Sequence, residues 1–167
     1  MRNFLKVLLV IITLALGISS CQKSLDPGAT TTPKASNGWW VTYSSGGSAL
    51  TNYVFFNTYS TAENKTDSMF VDDLGQGFWD FNGKVALNYS ALTFSNPYLV
   101  NTAYGNNDTI NIFNGKILPK AGHSKTGVVT DSLYFEFTWS DDPYSGPYAD
   151  TIVVSGTART GFINDDY

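Results

Sequence analysis

Cysteine and histidine are almost missing from this sequence: its 167 residues contain one of each. A single cysteine excludes an internal disulfide, so the fold must rest on its core. One histidine and one cysteine also leave carboxylates to complete any zinc site, a poor donor set for that ion. No metal or other cofactor is expected. Basic residues are few, 10 Lys and Arg against 14 Asp and Glu. With no basic cluster, neither nucleic acid nor electrostatic docking on anionic lipid is expected. A membrane-spanning run is absent too. The longest apolar stretch, Val7 to Ile18, is broken only by Thr13 and Gly17. Twelve helical residues rise about 18 Å, against a hydrocarbon core of roughly 30 Å.

That short run has another use. Arg2 and Lys6 give it a positive flank, which makes it the apolar segment of a secretory signal. It ends in Ile18-Ser19-Ser20-Cys21, which resembles the lipobox of bacterial lipoproteins: an aliphatic residue, two small residues and the cysteine that is acylated. Residues 1–20 are therefore expected to be removed and Cys21 to carry lipid. Each buried methylene contributes roughly 0.8 kcal/mol, so two or three acyl chains hold a protein down almost permanently. The alternative is a secreted protein with an incidental cysteine. The protein is thus expected to be exported and anchored, to the outer membrane and on either leaflet.

Loss of Arg2 and Lys6 leaves 14 acids against 8 Lys and Arg, a formal charge of −6 over residues 21–167. Membrane contact is then covalent rather than electrostatic. Residues 21–38 carry two prolines and no aromatic; they read as a lipidated flexible tether with a reach of very roughly 20–25 Å. A single domain is expected over 39–167, a length that buries a sizeable core. Its composition, rich in Trp, Tyr, Phe, Thr, Val, Asn and Gly, is that of a β protein.

Alternation of apolar and polar residues marks the strands. They are expected near 39–44, 53–59 and 67–72, then along 79–89, where Trp79, Phe81, Val85, Leu87 and Tyr89 share one parity. Asn82-Gly83 reads either as a hairpin turn or as part of one continuous strand, which the unbroken parity favours. The same ambiguity recurs at Asn114-Gly115, within a pentad that echoes Phe81 to Val85. A strand begins at Ile110 and Ile112. In 131–139, Leu133, Phe135, Phe137 and Trp139 form one face; in 151–159, Ile152, Val154, Gly156 and Ala158 form a face that shrinks along its length. A face that tapers in this way suits a barrel interior. The fold class is all-β, an antiparallel meander of about eight strands, closed or nearly closed into a barrel.

Catalytic signals are thin. His123, Ser124 and Lys125 lie in the loop PKAGHSKTG, which approaches a nucleophile elbow but lacks its second glycine and its strand-to-helix setting. No nucleophile–base constellation emerges, so the sequence leans away from an enzyme and offers no catalytic residue. The acid pairs Asp72-Asp73, Asp141-Asp142 and Asp165-Asp166 are the residue types of a glycosidase or calcium site, but adjacent aspartates at strand ends are ordinary solvated turns. Four segments repeat aspartate, hydroxyl, aliphatic: Asp67-Ser68-Met69, Asp108-Thr109-Ile110, Asp131-Ser132-Leu133 and Asp150-Thr151-Ile152. Turn chemistry at strand starts explains them. They also resemble the O-glycosylation acceptor of exported Bacteroidota proteins, with Ser68, Thr109, Ser132 and Thr151 as acceptors.

Taken in order, WWV, NTYSTAENKTDSMFVDD, GFWDFNGKVALNYSALTF, NGKILPKAG, DSLYFEFTWSDDP and VSGTARTGF are similar to a family of small Bacteroidota lipoproteins described as lipid-binding putative hydrolases. The resemblance implies a calycin-like barrel and a lipid ligand; it carries no catalytic residue to map. Trp79, Phe81, Leu87, Tyr89, Leu133, Phe135, Phe137 and Trp139 then line an apolar ligand or fill the core. The expected function is a non-catalytic binding module for a lipid-like or other apolar small molecule. The alternatives are an accessory envelope lipoprotein working through protein contacts, with partners unspecified, and a hydrolase of unspecified substrate.

Overall fold

The computed structural model describes residues 30–77, 80–103, 109–139 and 151–167. The alternating segments form strands that run β1 (Asn37–Ser45), β2 (Ser48–Ala49), β3 (Val54–Ser60), β4 (Ser68–Asp72), β5 (Asn82–Asn88), β6 (Thr93–Val100), β7 (Thr109–His123), β8 (Val129–Trp139) and β9 (Ile152–Ala158). Each of β3 to β9 pairs antiparallel with its sequence neighbour, and β1 pairs with β3. The last strand returns to the first: β9 pairs with β1 from Trp39 opposite Ala158 to Ser45 opposite Ile152. Eight strands therefore close a barrel and leave no long edge to aggregate. The two-residue β2 is a hairpin arm on the end of β1. The expected all-β meander, closed into a barrel, is borne out.

Parity decides what lies inside. On β5, Gly83, Val85 and Leu87 are buried, while Lys84, Ala86 and Asn88 are exposed. On β8, Leu133, Phe135 and Phe137 have no exposed surface. Trp79 lies outside the described residues. Asn82-Gly83 is no hairpin turn: it opens β5, paired with Asp72 and Val71, and Asp80 and Phe81 precede the strand. Asn114-Gly115 lies within β7, but Asn114 adopts φ of +54° and the register with β8 shifts between Phe113 and Lys116. A bulge inserted there reverses the parity of that strand. At Gly156, a Cβ would stand 2.1 Å from the Trp40 carbonyl oxygen; closure of β9 onto β1 needs glycine at this point.

Three parts of the chain differ from the sequence reading. β6 was not apparent from alternation, because its pairing with β7 shifts twice and Pro97 interrupts the pattern. Proline is tolerated within a sheet where a bulge removes the need for its N–H. Residues 119–123, read as loop, instead extend β7. Moreover, the segment 31–38, counted with the tether, packs on the barrel. Thr31 N–H donates to Asn64 Oδ1 at 2.8 Å, the hydroxyls of Thr32 and Ser60 bond, and Ala35, in the 3-10 turn Pro33–Ala35, is fully buried.

Because the strands alternate in direction, the connections after β1, β4, β6 and β8 gather at one end of the barrel. The chain enters β1, and leaves β9, at the other. The first is called here the loop end and the second the tether end.

Candidate functional site

The middle of the barrel is filled by aromatic rings in mutual contact. Phe135 packs on Phe56 at 5.5 Å, Phe94 at 5.8 Å and Phe137 at 6.2 Å between centroids, and Phe81 packs on Phe137 at 5.3 Å. Tilted and edge contacts at such distances are favourable aromatic geometry. Of the residues expected to line a ligand, Phe81, Leu133, Phe135 and Phe137 are fully buried, and Leu87 nearly so. Tyr89 and Trp139 are partly buried against this cluster. Collectively they form the core at this level of the barrel.

Polar groups enter the interior just above it, at the loop end. The inward parity of β4 runs Met69, Val71 and then Asp73, the first residue past the strand, which is only 1 % exposed. Asp73 Oδ1 accepts the N–H groups of Gly75 at 3.1 Å and Phe81 at 3.0 Å; these bonds shape the turn between β4 and β5. Among the described residues, Oδ2 has no hydrogen-bond partner. Tyr43, the last inward residue of β1, is fully buried, with its ring edge-on to Phe137 at 6.2 Å. Its hydroxyl also has no partner.

Gly77 brings the two oxygens together. A Cβ on Gly77 would stand 2.6 Å from Asp73 Oδ2 and 2.7 Å from the Tyr43 hydroxyl, so the oxygens are at most about 5.3 Å apart. The Gly77 backbone packs against both, with no room for a side chain at this position. Buried polar atoms without partners each cost about 1–3 kcal/mol, and native folds retain few of them. Such a pair at one point marks a functional candidate.

Electrostatics single out the same pair. Burial pushes the Asp73 carboxyl up from 3.8 to about 6, helped by the charges of Asp80 and Asp72 and opposed by the two N–H bonds. Burial also raises the Tyr43 phenol well above its ordinary range, with Asp73 and Asp80 adding to the effect. A buried carboxyl poised near neutrality is a recurrent property of binding and catalytic sites. Chemically, the pair offers one acceptor, one hydroxyl that donates or accepts, and a proton that exchanges near pH 6.

In the sequence Asp72-Asp73 reads as an ordinary solvated turn, with a glycosidase or calcium site as the alternative. The structure separates them: Asp72 is half-buried and accepts from Tyr59 and the Leu74 N–H, whereas Asp73 turns inward. Its signal in the sequence was a carboxylate continuing the apolar parity of a strand. Asp141 and Asp142 lie outside the described residues. Asp165, at the tether end, is tied down by Thr126 N–H and the Thr160 hydroxyl, and these bonds hold its carboxyl far below the usual range.

The remaining sequence candidates are scattered. His123 is the exposed last residue of β7. The Ser124 hydroxyl accepts the Val128 N–H, and the Lys125 amine donates to the Asp166 carbonyl at 3.1 Å. These three residues lie in or beside the turn joining β7 to β8, at the end opposite Tyr43 and Asp73. Among the described residues, no group of three or more His, Cys, Asp or Glu could hold a metal. Ser68 is buried and donates to Asp67 Oδ1. Ser132 is half-buried and donates to the Gly156 carbonyl; Thr109, the first residue of β7, and Thr151, just before β9, are half-buried. Cys21, Asp108 and Asp150 lie outside the described residues.

The outer wall carries open grooves, two of them over β4 to β8. One, of about 710 Å³, crosses β5 to β8 over Ala86, Ser95, Asn114, Lys116, Tyr134 and Glu136. The Lys116 amine stands over the Tyr134 ring at 4.6 Å, and Asn114 Nδ2 donates to Glu136. The other, of about 630 Å³, crosses β4 to β6; beside it Tyr98 and Val100 are 78 % and 57 % exposed.

Residues 24–163 match the family described as lipid-binding putative hydrolase. No curated protein matches the chain.

Proposed function

From the premise that this chain belongs to the family of lipid-binding putative hydrolases, we propose that it is an exported, lipid-anchored protein that binds a lipid-like ligand without transforming it. The observation that carries the reading is the buried, unpartnered pair of Tyr43 and Asp73 set above an aromatic core. An amphipathic molecule meets both demands of such a place, with an apolar body against the rings and a polar group to complete the two oxygens. In this reading Cys21 carries the anchor on the outer membrane. Thr31, bonded to Asn64 on the barrel, lies ten residues beyond Cys21, a span whose reach as a tether is roughly 17 Å. The anchor thus holds the tether end near the bilayer and directs the loop end away from it.

The absence of catalysis belongs to the proposal as well. Ser124 and His123 lie at the far end of the barrel from the pair, and Ser124 is engaged with the Val128 backbone. Ester turnover by the mature protein that disappears in Ser124→Ala would overturn this part.

A second reading rests on the outer wall. Tyr98 and Val100 stand exposed beside the β4–β6 groove, and an accessory envelope protein would use such a surface against a protein partner. Tyr98→Ala separates the two: it abolishes co-purification of a partner in the accessory reading and leaves lipid content unchanged in the binding reading.

A further inference from the structure

The strands end unevenly at the tether end. β8 pairs with β9 between Ser132 and Phe137, whereas its pairing with β7 runs on to Val129 opposite His123. The β7–β8 hairpin therefore projects past β9. Val129 keeps the inward parity of Leu133 and Phe135, but it lies beyond the paired part of β9 and is exposed, as is Val128 beside it.

The segment after β9 is fastened to the same hairpin. Arg159 N–H donates to the Gly38 carbonyl at 2.8 Å, which returns the chain to the start of β1. Thr126 N–H donates to Asp165 Oδ1 at 2.8 Å, which ties the 3-10 turn Ile163–Asp165 to the turn between β7 and β8. On that tied segment Phe162 and Ile163 are 63 % and 85 % exposed. Two large apolar side chains in succession, on a segment bonded to the turn that carries Val128, mark an interaction surface.

The charges nearby do not select a charged partner. Asp165 also accepts from the Thr160 hydroxyl, and Asp166 pairs with Arg159 at 2.7 Å and accepts from Trp40 Nε1 at 3.3 Å. Both carboxylates beside the turn are thus engaged within the protein. Across the described tether-end segments 30–36, 61–67, 89–92, 124–128 and 159–167, Lys34, Lys65, Lys125 and Arg159 balance Glu63, Asp67, Asp165 and Asp166. Position says what meets this surface. Thr31, held by Asn64 in the turn after β3, is at the same end and only ten residues beyond Cys21.

We infer that Phe162 and Ile163, with Val128 and Val129, form a docking surface that enters the interfacial layer of the bilayer in which Cys21 is anchored. This rests on the anchored part of the proposed function and not on its ligand. Apolar side chains of this kind settle roughly 5–10 Å into the boundary between head groups and acyl chains. Four of them do not hold a protein on a membrane alone. They fix the orientation of the barrel, loop end outward, once the anchor has brought it there.

The test uses the lipoprotein purified from membranes. Acylation consumes the thiol of Cys21, the one cysteine, so Asn164→Cys, at an exposed position beside Ile163, gives a single free thiol for an NBD fluorophore. A second protein carries the label at the loop end, as Ser48→Cys, also exposed. Both are placed in phosphatidylcholine vesicles, with a 5-doxyl phosphatidylcholine as quencher in the bilayer and iodide as quencher in water. The label at 164 is expected to be quenched by the doxyl lipid and shielded from iodide, and the label at 48 the reverse. Phe162→Ser with Ile163→Ser should cut the doxyl quenching at 164 by at least about half. If protein that floats with the vesicles is quenched by iodide equally at 164 and 48, or if the double variant keeps its full doxyl quenching, the inference is overturned and the anchor stands. Shielding from iodide without doxyl quenching means that a second copy covers the surface, and overturns it too. If the protein does not float and Cys21 reacts as a free thiol, the anchored reading falls and takes the inference with it.

Discussion

Asparagine at position 73 keeps the shape of the side chain and removes its charge. Its carbonyl oxygen still accepts from the Gly75 and Phe81 N–H groups, and its amide, in place of Oδ2, gains a donor toward the unpartnered Tyr43 hydroxyl. The sign follows from the raised carboxyl, which moves from 3.8 to about 6. The folded protein holds this proton more tightly than the unfolded chain does. Its contribution to stability is therefore complete below about pH 4 and is lost as pH rises through about 6. A shift of about two units corresponds to at most about 3 kcal/mol, and partial solvent screening lowers it to about 1–2 kcal/mol. Asp73→Asn should therefore unfold at higher urea than wild type above pH 6, with the advantage vanishing toward pH 4. Urea titrations followed by tryptophan fluorescence across that range measure both curves. An asparagine variant less stable than wild type near pH 7, or an advantage that does not change with pH, would refute the electrostatic account of this site.

The other predictions concern the core, the barrel closure and the covalent state. Phe135→Ala removes a ring that touches four others and should cost about 3–5 kcal/mol; a loss under about 1 kcal/mol in the same urea assay would mean that this part of the interior is not packed as described. Gly156→Val drives a side chain into the Trp40 carbonyl and should prevent β9 from closing on β1, seen as loss of the folded amide dispersion in NMR. Native-source intact mass should equal residues 21–167 plus an acyl-glyceryl anchor, and Cys21→Ser should release the protein from membranes. Added hexose in that mass would show the Asp-Ser/Thr-aliphatic segments to be glycosylated; its absence would leave them as turn and strand-start chemistry, as the Ser68–Asp67 bond suggests.

The fold was legible wherever parity was strict. β8 reads directly from Leu133, Phe135, Phe137 and Trp139, because one face of that strand meets only the core. β6 did not read, because two register shifts and Pro97 break its period, and register is a property of two strands that one segment does not reveal. Two similar pentads also diverge: Phe81 is fully buried, whereas Phe113, next to the inward Ile112, is half-buried, and the Asn114 bulge then turns Gly115 and Ile117 inward. The candidate site was half legible. Asp73 continues the parity of Met69 and Val71, which marks it as inward, but the neighbouring Asp72 made the pair look like a solvated turn. Tyr43 and Gly77 become partners only through closure of the barrel, a contact between segments more than thirty residues apart.

Lipid content is the most direct test of the account. Wild-type protein with Cys21→Ser, exported by its own host and purified without detergent, should release one bound lipid-like molecule per chain on organic extraction. Tyr43→Phe and Asp73→Asn, folded to the same extent, should release little or none. An empty wild-type protein, or variants that retain the same ligand in full, would contradict the claim that this barrel binds lipid through its loop end.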